Sequence, residues 1–297
     1  MEDEIVQQAS GFPYIPSRVF RTRLGTPYLR APGVHLIAKP EVSIEGLREF
    51  LEGFDVSLGF STYLQDPDVL PPGAQLCKLA GQLCYMSFGP KRTPNARAGR
   101  YFDNIKESGH GSVLEHANYT FLFYGISRSV THELVRHRAG FGFSQVSQRY
   151  VSGRVLRFVE RPEYAQEEDL HALFEARIDR AYQEYTDLAE ALLKRQKEGS
   201  AILSAEAKTD LRKKVQQAAR SLLPNETEAP ITVTANARAW RHFIEMRANP
   251  HAEIEIRTLA FRTYQCLSQI DPYLFGDYDV LELPDGTYAV KTSWPKV

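Results

Sequence analysis

Ala117-Asn118-Tyr119-Thr120-Phe121-Leu122-Phe123-Tyr124-Gly125-Ile126-Ser127-Arg128-Ser129-Val130-Thr131-His132-Glu133-Leu134-Val135 changes its period halfway along. Up to Tyr124, Ala117, Tyr119, Phe121 and Phe123 alternate with Asn118, Thr120, Leu122 and Tyr124, which is a strand signature. Gly125 ends that strand. Ser127 or Ser129 can then accept a hydrogen bond from a free N–H of the next turn and start a helix. In that helix Val130, Leu134 and Val135 face inward. One strand therefore feeds directly into one helix.

Similar changes of period recur downstream. From Leu170, the positions Phe174, Ile178, Ala181, Tyr185, Leu188 and Leu192 follow steps of three and four, a long amphipathic helix with a charged outer face. Gly199-Ser200 breaks it. A second helix uses Ala207, Leu211, Val215, Ala218 and Leu222, and Pro224 stops it. Residues 231–235 predict a short strand, with Asn236 placed to cap a helix running to Arg247. After Pro250, Ala252, Ile256, Leu259, Tyr264 and Leu267 mark a last helix.

Upstream, Leu76, Leu79, Ala80, Leu83 and Cys84 predict a buried helix over 73–86. Residues 90–100, with Lys91, Arg92, Arg97 and Arg100 among prolines and glycine, read as an exposed basic loop. Residues 1–45 carry Pro13, Pro16, Pro27, Pro32 and Pro40 and read as an irregular arm with one short strand around 34–38. The remainder, 46–297, reads as one domain without internal repeat or linker. Helices dominate, and the few strands do not alternate regularly with them. The fold class is α+β.

The 297 residues are 43% hydrophobic and 25% charged, an ordinary globular balance. A formal net charge of −1 gives no whole-molecule attraction to nucleic acid or to an anionic membrane. Any anion site must be a local concentration of arginine. No apolar run is long enough for a transmembrane helix, and the acidic Met1-Glu2-Asp3-Glu4, without an apolar stretch behind it, argues against a secretory signal. Cys77, Cys84 and Cys266 are too few and too scattered for a disulfide scaffold. Cys77 and Cys84 would share one helix face as core residues. The chain is expected in the cytoplasm.

Several signatures fail. His132-Glu133 resembles a zincin start, but His137 lies five positions on, about 140° around a helix, so the two imidazoles cannot share one zinc. No metal is expected. Gly140-Phe141-Gly142 lacks a third glycine and a preceding strand. Neither a phosphate-binding glycine loop ending in Gly-Lys-Ser/Thr nor a Gly-x-Ser-x-Gly elbow occurs.

Two segments hold polar groups that neither period nor solubility requires. Arg136-His137-Arg138-Ala139-Gly140-Phe141-Gly142-Phe143-Ser144-Gln145-Val146-Ser147-Gln148-Arg149-Tyr150 ends a helix in cations. A glycine-relaxed stretch then presents Ser144, Gln145, Ser147 and Arg149. Forked guanidinium donors, hydroxyls and backbone N–H groups suit a phosphate and a planar heterocycle. The second segment is Asn236-Ala237-Arg238-Ala239-Trp240-Arg241-His242-Phe243-Ile244-Glu245-Met246-Arg247. Positions 236, 240, 243 and 247 project to one side of a helix, with 238 and 242 in the next row. Arg247 closes an aromatic row, and a buried cation there is costly unless it meets an anion or ligand.

These segments resemble the flavin-dependent thymidylate synthases. That family's marker is Arg-His-Arg, seven or eight residues, then Ser, and here eight residues separate Arg138 from Ser147. His110-Gly111-Ser112-Val113-Leu114-Glu115-His116, the Ser127–Leu134 stretch and the Asn-x-Arg-Ala-Trp-Arg-x-Phe-Ile-x-Met-Arg block also match. The resemblance spans roughly 73–270. It departs in the long leading arm, in an extra residue around 140–142 and in the charged connection near 196–210.

The resemblance implies an α+β fold with helices packed on a central mixed or antiparallel sheet. It implies a cytoplasmic homotetramer with shared active sites, methylating dUMP to dTMP with carbon from methylenetetrahydrofolate and electrons from NADPH through FAD. The flavin would meet Ser112, Arg136, His137, Arg138, Gln145, Asn236, Arg238 and His242, with His110 and Glu115 nearby. The nucleotide would meet Glu133, Arg136, Gln145, Val146, Ser147, Gln148, Arg149, Arg220 and Arg247. Arg149 and Arg220 suit its phosphate. Arg247 would polarise the uracil without giving up its own proton. No cysteine nucleophile is implied. The alternative is a single-stranded nucleic-acid module that uses Arg136, Arg138, Arg149 and the 91–100 loop, with Phe141, Phe143 and Tyr150 as stacking platforms.

Overall fold

A computed structural model describes residues 5–7, 11–150, 155–197 and 208–297. The strands are β1 (Val6–Gln7), β2 (Pro13–Ile15), β3 (Val19–Arg21), β4 (Pro27–Leu29), β5 (Gly33–Ala38), β6 (Asn118–Tyr124), β7 (Phe141–Gln145), β8 (Phe158–Val159), β9 (Ile231–Asn236), β10 (Tyr278–Glu282) and β11 (Tyr288–Thr292). The α-helices are α1 (Arg48–Glu52), α2 (Pro72–Cys84), α3 (Ala98–Glu107), α4 (Arg128–Leu134), α5 (Pro162–Ala165), α6 (Glu168–Lys197), α7 (Lys208–Ala219), α8 (Ala237–Arg247), α9 (Ile254–Ile270) and α10 (Pro272–Phe275).

The central sheet has the order β1-β2-β5-β6-β9-β7, and every neighbouring pair in it is antiparallel. Among the described residues a parallel pair occurs only in the small β3-β4-β8 sheet, between β4 and β8. The expected α+β class holds. The alternation on β6 buries Tyr119, Phe121 and Phe123, and across from them β9 buries Ile231, Val233 and Ala235. Trp240 of α8 lies on this face, 5.2 Å from the Phe121 ring centre, and its indole N–H donates to the Tyr119 carbonyl at 3.1 Å. Ile256 and Leu259 of α9 complete the layer. Truncating a fully buried Trp240 to alanine would cost about 3–5 kcal/mol.

Gly125 connects β6 to α4 with φ +61°, and a Cβ there would lie 2.5 Å from the Ala31 carbonyl oxygen. Only glycine fits this corner. Ser127 caps α4, accepting from the Val130 N–H, and Asn236 caps α8, accepting from the Ala239 N–H at 2.9 Å.

Several expectations are corrected. The arm over 1–45, expected to be irregular, contains five strands among its described residues, and β5 sits between β2 and β6 in the main sheet. Pro13 and Pro27 are the first residues of β2 and β4, where a missing N–H is tolerated, so the prolines did not preclude strands. The glycine-relaxed stretch after Arg138 is strand β7, paired with β9. Cys77 is buried but Cys84 is exposed: seven residues fall only about 20° short of two turns, so the two share a helix direction, but Cys84 is the last residue of α2 and its side chain is left in solvent. Part of the basic 90–100 loop forms a 3-10 turn, Asn95–Arg97, with Asn95 buried. α9 is followed by α10 and the β10–β11 hairpin. The Gly199-Ser200 break, the start of the second helix at Ala207 and most of the 196–210 connection lie outside the described residues.

Candidate active site

The cap at Ser127 sets the direction of α4, and less than two turns later Glu133 emerges near the helix end. Arg136, His137 and Arg138 follow in the turn before β7. Gly140 enables that turn with φ +77°. A Cβ there would come within 2.8 Å of the Asn236 amide and 2.9 Å of the Ala239 Cβ, so the strand entry packs tightly on the start of α8. From α8, Arg247 reaches back to α4. Its Nη1 donates to Glu133 Oε2 at 2.8 Å and its Nε donates to His137 Nε2 at 3.0 Å.

His137 lies among Phe141, Phe243 and His242, at ring-centre distances of 5.9, 5.3 and 5.9 Å. Burial lowers its pKa from 6.5 to about 4, with the charges of Arg247 and His242 acting the same way. The imidazole is therefore neutral near pH 7. Because Nε2 accepts from Arg247, its proton belongs on Nδ1. The result is a cation held by one carboxylate and one neutral acceptor, with 23% of its side chain still open to solvent.

Around this trio the other expected residues fall into groups. Arg238 of α8 donates to Glu115 at 2.6 Å, which joins α8 to the 3-10 turn Gly111–Glu115 that carries Ser112. His242 lies one turn along α8 from Arg238. Arg136 and Arg138 are exposed; Arg136 Nε donates to the His132 carbonyl at 3.3 Å. Gln145, at the end of β7, donates to the Thr131 hydroxyl at 3.2 Å. Val146, Ser147 and Gln148 follow, half-buried. The Arg149 guanidinium and the Lys213 ammonium both lie over the Tyr150 ring, at 5.5 and 5.3 Å, which brings this segment to α7. Arg220 lies in the 3-10 turn Arg220–Leu222 at the end of α7. Among the described residues no hydrogen bond joins Ser112, Ser147, Arg149 or Arg220 to the Arg247 trio.

A cavity of about 1220 Å³ opens beside this region, between the β3–β4 hairpin, α6 and residues Val146, Gln148 and 155–157. Of the expected site residues only Val146 and Gln148 line it. The chemistry-bearing trio lies elsewhere.

One expectation about charge is corrected. The fully buried cation of α8 is Arg241, not Arg247. Arg241 donates through Nη1 and Nη2 to Asp277, and Lys106 donates to the same carboxylate at 3.1 Å. Burial opposes the Asp277 charge, yet the Arg241 hydrogen bonds and the two cations hold its pKa at about 2. Its partner lies far along the chain, so helical spacing could not single out Arg241. The stacking-platform alternative also loses support: Phe141 and Phe143 are stacked on each other and packed against the core, which leaves only Tyr150 well exposed.

The donors fit a flavin dinucleotide chemically. Arg136 and Arg138 are exposed donors of the kind that meets a diphosphate, and Asn236 at the cap of α8 and Arg238 and His242 on that helix add further polar groups.

The family described as thymidylate synthase complementing protein matches residues 68–273. A flavin-dependent thymidylate synthase of Mycolicibacterium gilvum is 44% identical over 216 residues, covering 72% of this chain and 83% of that protein. The one from Mycobacterium avium is 42% identical over 231 residues, covering 76% and 89%. Among solved structures, a UMP/dUMP methylase, PolB, from Streptomyces cacaoi, crystallised with 5-Br dUMP, superposes with a TM-score of 0.54 at 19% identity, covering 83% of this chain and 94% of that one. The helix-capped antiparallel sheet is thus an architecture seen before, and with a match over most of its length the chain belongs to the flavin-dependent thymidylate synthase family.

Proposed function

We propose that the protein methylates dUMP to dTMP, taking carbon from methylenetetrahydrofolate and electrons from NADPH through FAD, as a cytoplasmic homotetramer whose subunits share sites. The observation that carries this reading is the Arg247 guanidinium, held from both sides by Glu133 and neutral His137. Two acceptors fix its plane, while part of it stays open to a ligand. A permanent cation aimed in this way can stabilise negative charge developing on the O and N of a uracil ring. Arginine serves here because it cannot lose its proton.

In this reading Ser112, Arg136, His137, Arg138, Gln145, Asn236, Arg238 and His242 hold the flavin. Glu133, Arg136, Gln145, Val146, Ser147, Gln148, Arg149, Arg220 and Arg247 hold the nucleotide, with Arg149 and Arg220 at its phosphate. Bound FAD supplies the reducing equivalents that turn the transferred carbon into a methyl group. His137 contributes a hydrogen-bond acceptor and apolar packing and no proton transfer, in keeping with its low pKa. The cysteines support a route without a thiolate nucleophile: burial pushes Cys77 and Cys266 up to about 12.

The test is dTMP formation with FAD, NADPH, dUMP and methylenetetrahydrofolate, each omitted in turn. Product is expected only from the complete mixture. Full activity without flavin would overturn the reading.

A further inference from the structure

Glu255 lies in the first turn of α9, is 3% exposed and belongs to none of the residue groups assigned above. Its Oε1 accepts the Ser127 backbone N–H at 2.7 Å, and its Oε2 accepts the Ser127 hydroxyl at 2.8 Å. The same Ser127 oxygen caps α4 by accepting from Val130. A carboxylate from a remote helix therefore grips the residue from which α4 begins. Burial raises the Glu255 pKa to about 7 and the two Ser127 bonds oppose that rise; Glu253 and Arg161 lie nearby with opposite effects. A buried carboxylate is a costly anchor, since a well-packed apolar contact usually stabilises as much.

α4 has seven residues, about 10 Å of helix, too short to hold its own orientation. Its pose is set by the burial of Val130, Thr131 and Leu134 and by what holds its ends. One end is Ser127, and the other carries Glu133 and runs on to His137, the two acceptors of Arg247. α9, which carries Glu255, packs against α4 and also against α8, which carries Arg247. α9 thus touches both halves of the clamp, α8 by packing and α4 also through the Glu255 bonds to Ser127.

We infer that Glu255, through its paired hydrogen bonds to Ser127, is a positioning residue for Arg247: it fixes where α4 presents Glu133 and His137. The inference rests on the proposed role of Arg247. A misplacement of about 1 Å at a reacting centre can cost on the order of a hundredfold in rate.

The experiment compares Glu255→Gln, Ser127→Ala, the double variant and Arg247→Ala at pH 8, measuring FAD content, thermal midpoint, dUMP KM and kcat per flavin-bearing subunit. Glu255→Gln keeps the size and one acceptor, while Ser127→Ala removes the hydroxyl from the other side and serves if the glutamine variant does not fold. Expected is a kcat lowered about ten- to a hundredfold in each single variant with FAD retained, and a double variant no worse than the lower single one. An anchor for the fold alone would lower the thermal midpoint and leave kcat per flavin-bearing subunit unchanged, and that result would overturn the inference. So would losses that multiply in the double variant, since the two changes would then act independently. If Arg247→Ala itself turns over normally, the reading of Arg247 fails instead, whatever Glu255 does.

Discussion

Arg247 Nε donates to His137 Nε2 at 3.0 Å, so the histidine of the Arg-His-Arg motif acts as an acceptor toward an arginine 110 positions downstream. The bond requires a neutral imidazole, and burial beside Arg247 and His242 supplies one. Removing either partner has separable effects. Arg247→Ala should lose kcat while the protein stays folded and yellow. The stability change should stay within about 1 kcal/mol, because the Glu133 pair is partly exposed. Steady-state kinetics and a flavin spectrum of the purified variant check this together.

For His137 itself, alanine removes both the acceptor and the ring packed against Phe243. His137→Ala should purify with less FAD and with reduced turnover. Flavin content per folded protein is the measurement, and full occupancy would remove His137 from the flavin side.

The phosphate assignment predicts that Arg149→Ala or Arg220→Ala weakens dUMP binding far more than FAD binding. One charged hydrogen bond is worth about 1.5–3 kcal/mol, or roughly 10- to 150-fold in Kd. Titration of the flavin-loaded protein with dUMP reads it directly.

Turnover should survive without any thiol. Cys77 and Cys266 are fully buried and Cys84 is exposed at a helix end. The triple change Cys77→Ala, Cys84→Ala, Cys266→Ala should cost about 1 kcal/mol of stability at each buried site and leave flavin-dependent dTMP formation in place. A folded, FAD- and dUMP-binding triple variant that makes no dTMP would contradict the proposed chemistry.

Stability should depend on pH through Asp271. This carboxyl is fully buried, accepts from the Ala74 N–H at 2.7 Å and from the Tyr119 hydroxyl at 3.2 Å, and is raised by burial from 3.8 to about 7. The folded state keeps a proton that the unfolded chain releases, so this contribution is complete below about pH 4 and is lost as pH rises towards 7. His137 acts oppositely: its folded pKa lies below its unfolded value, so its contribution is lost as pH falls from 6.5 to about 4. The thermal midpoint of wild type should therefore fall relative to that of Asp271→Asn between pH 4 and 7. A constant gap would show that Asp271 does not titrate there.

What the sequence disclosed was local. The change of period at Gly125, the cap at Asn236 and the stripe from Phe174 to Tyr185 are each set by neighbours a few residues apart, and each recurs in the structure. β7 was illegible because Phe141-Gly142-Phe143-Ser144-Gln145 becomes a strand by pairing with β9, far downstream. The site divides in the same way. Arg136, His137, Arg138 and Arg247 stand out by type and spacing, whereas the acceptors of Arg247, and the Arg241–Asp277 and Glu255–Ser127 pairs, exist only after distant segments meet.

The place of β5 in the sheet limits how the chain could be shortened. Over residues Thr120 to Tyr124, β5 pairs with β6, a strand whose inward row is Tyr119, Phe121 and Phe123. Trimming the chain to begin at residue 46 would strip that partner and leave β6 as an open, aromatic-rich edge. Such an edge recruits other strands. The shortened product would be a self-associating polypeptide with its inclusion-body risk raised, and loss of activity in it would say nothing about a catalytic role for the first 45 residues.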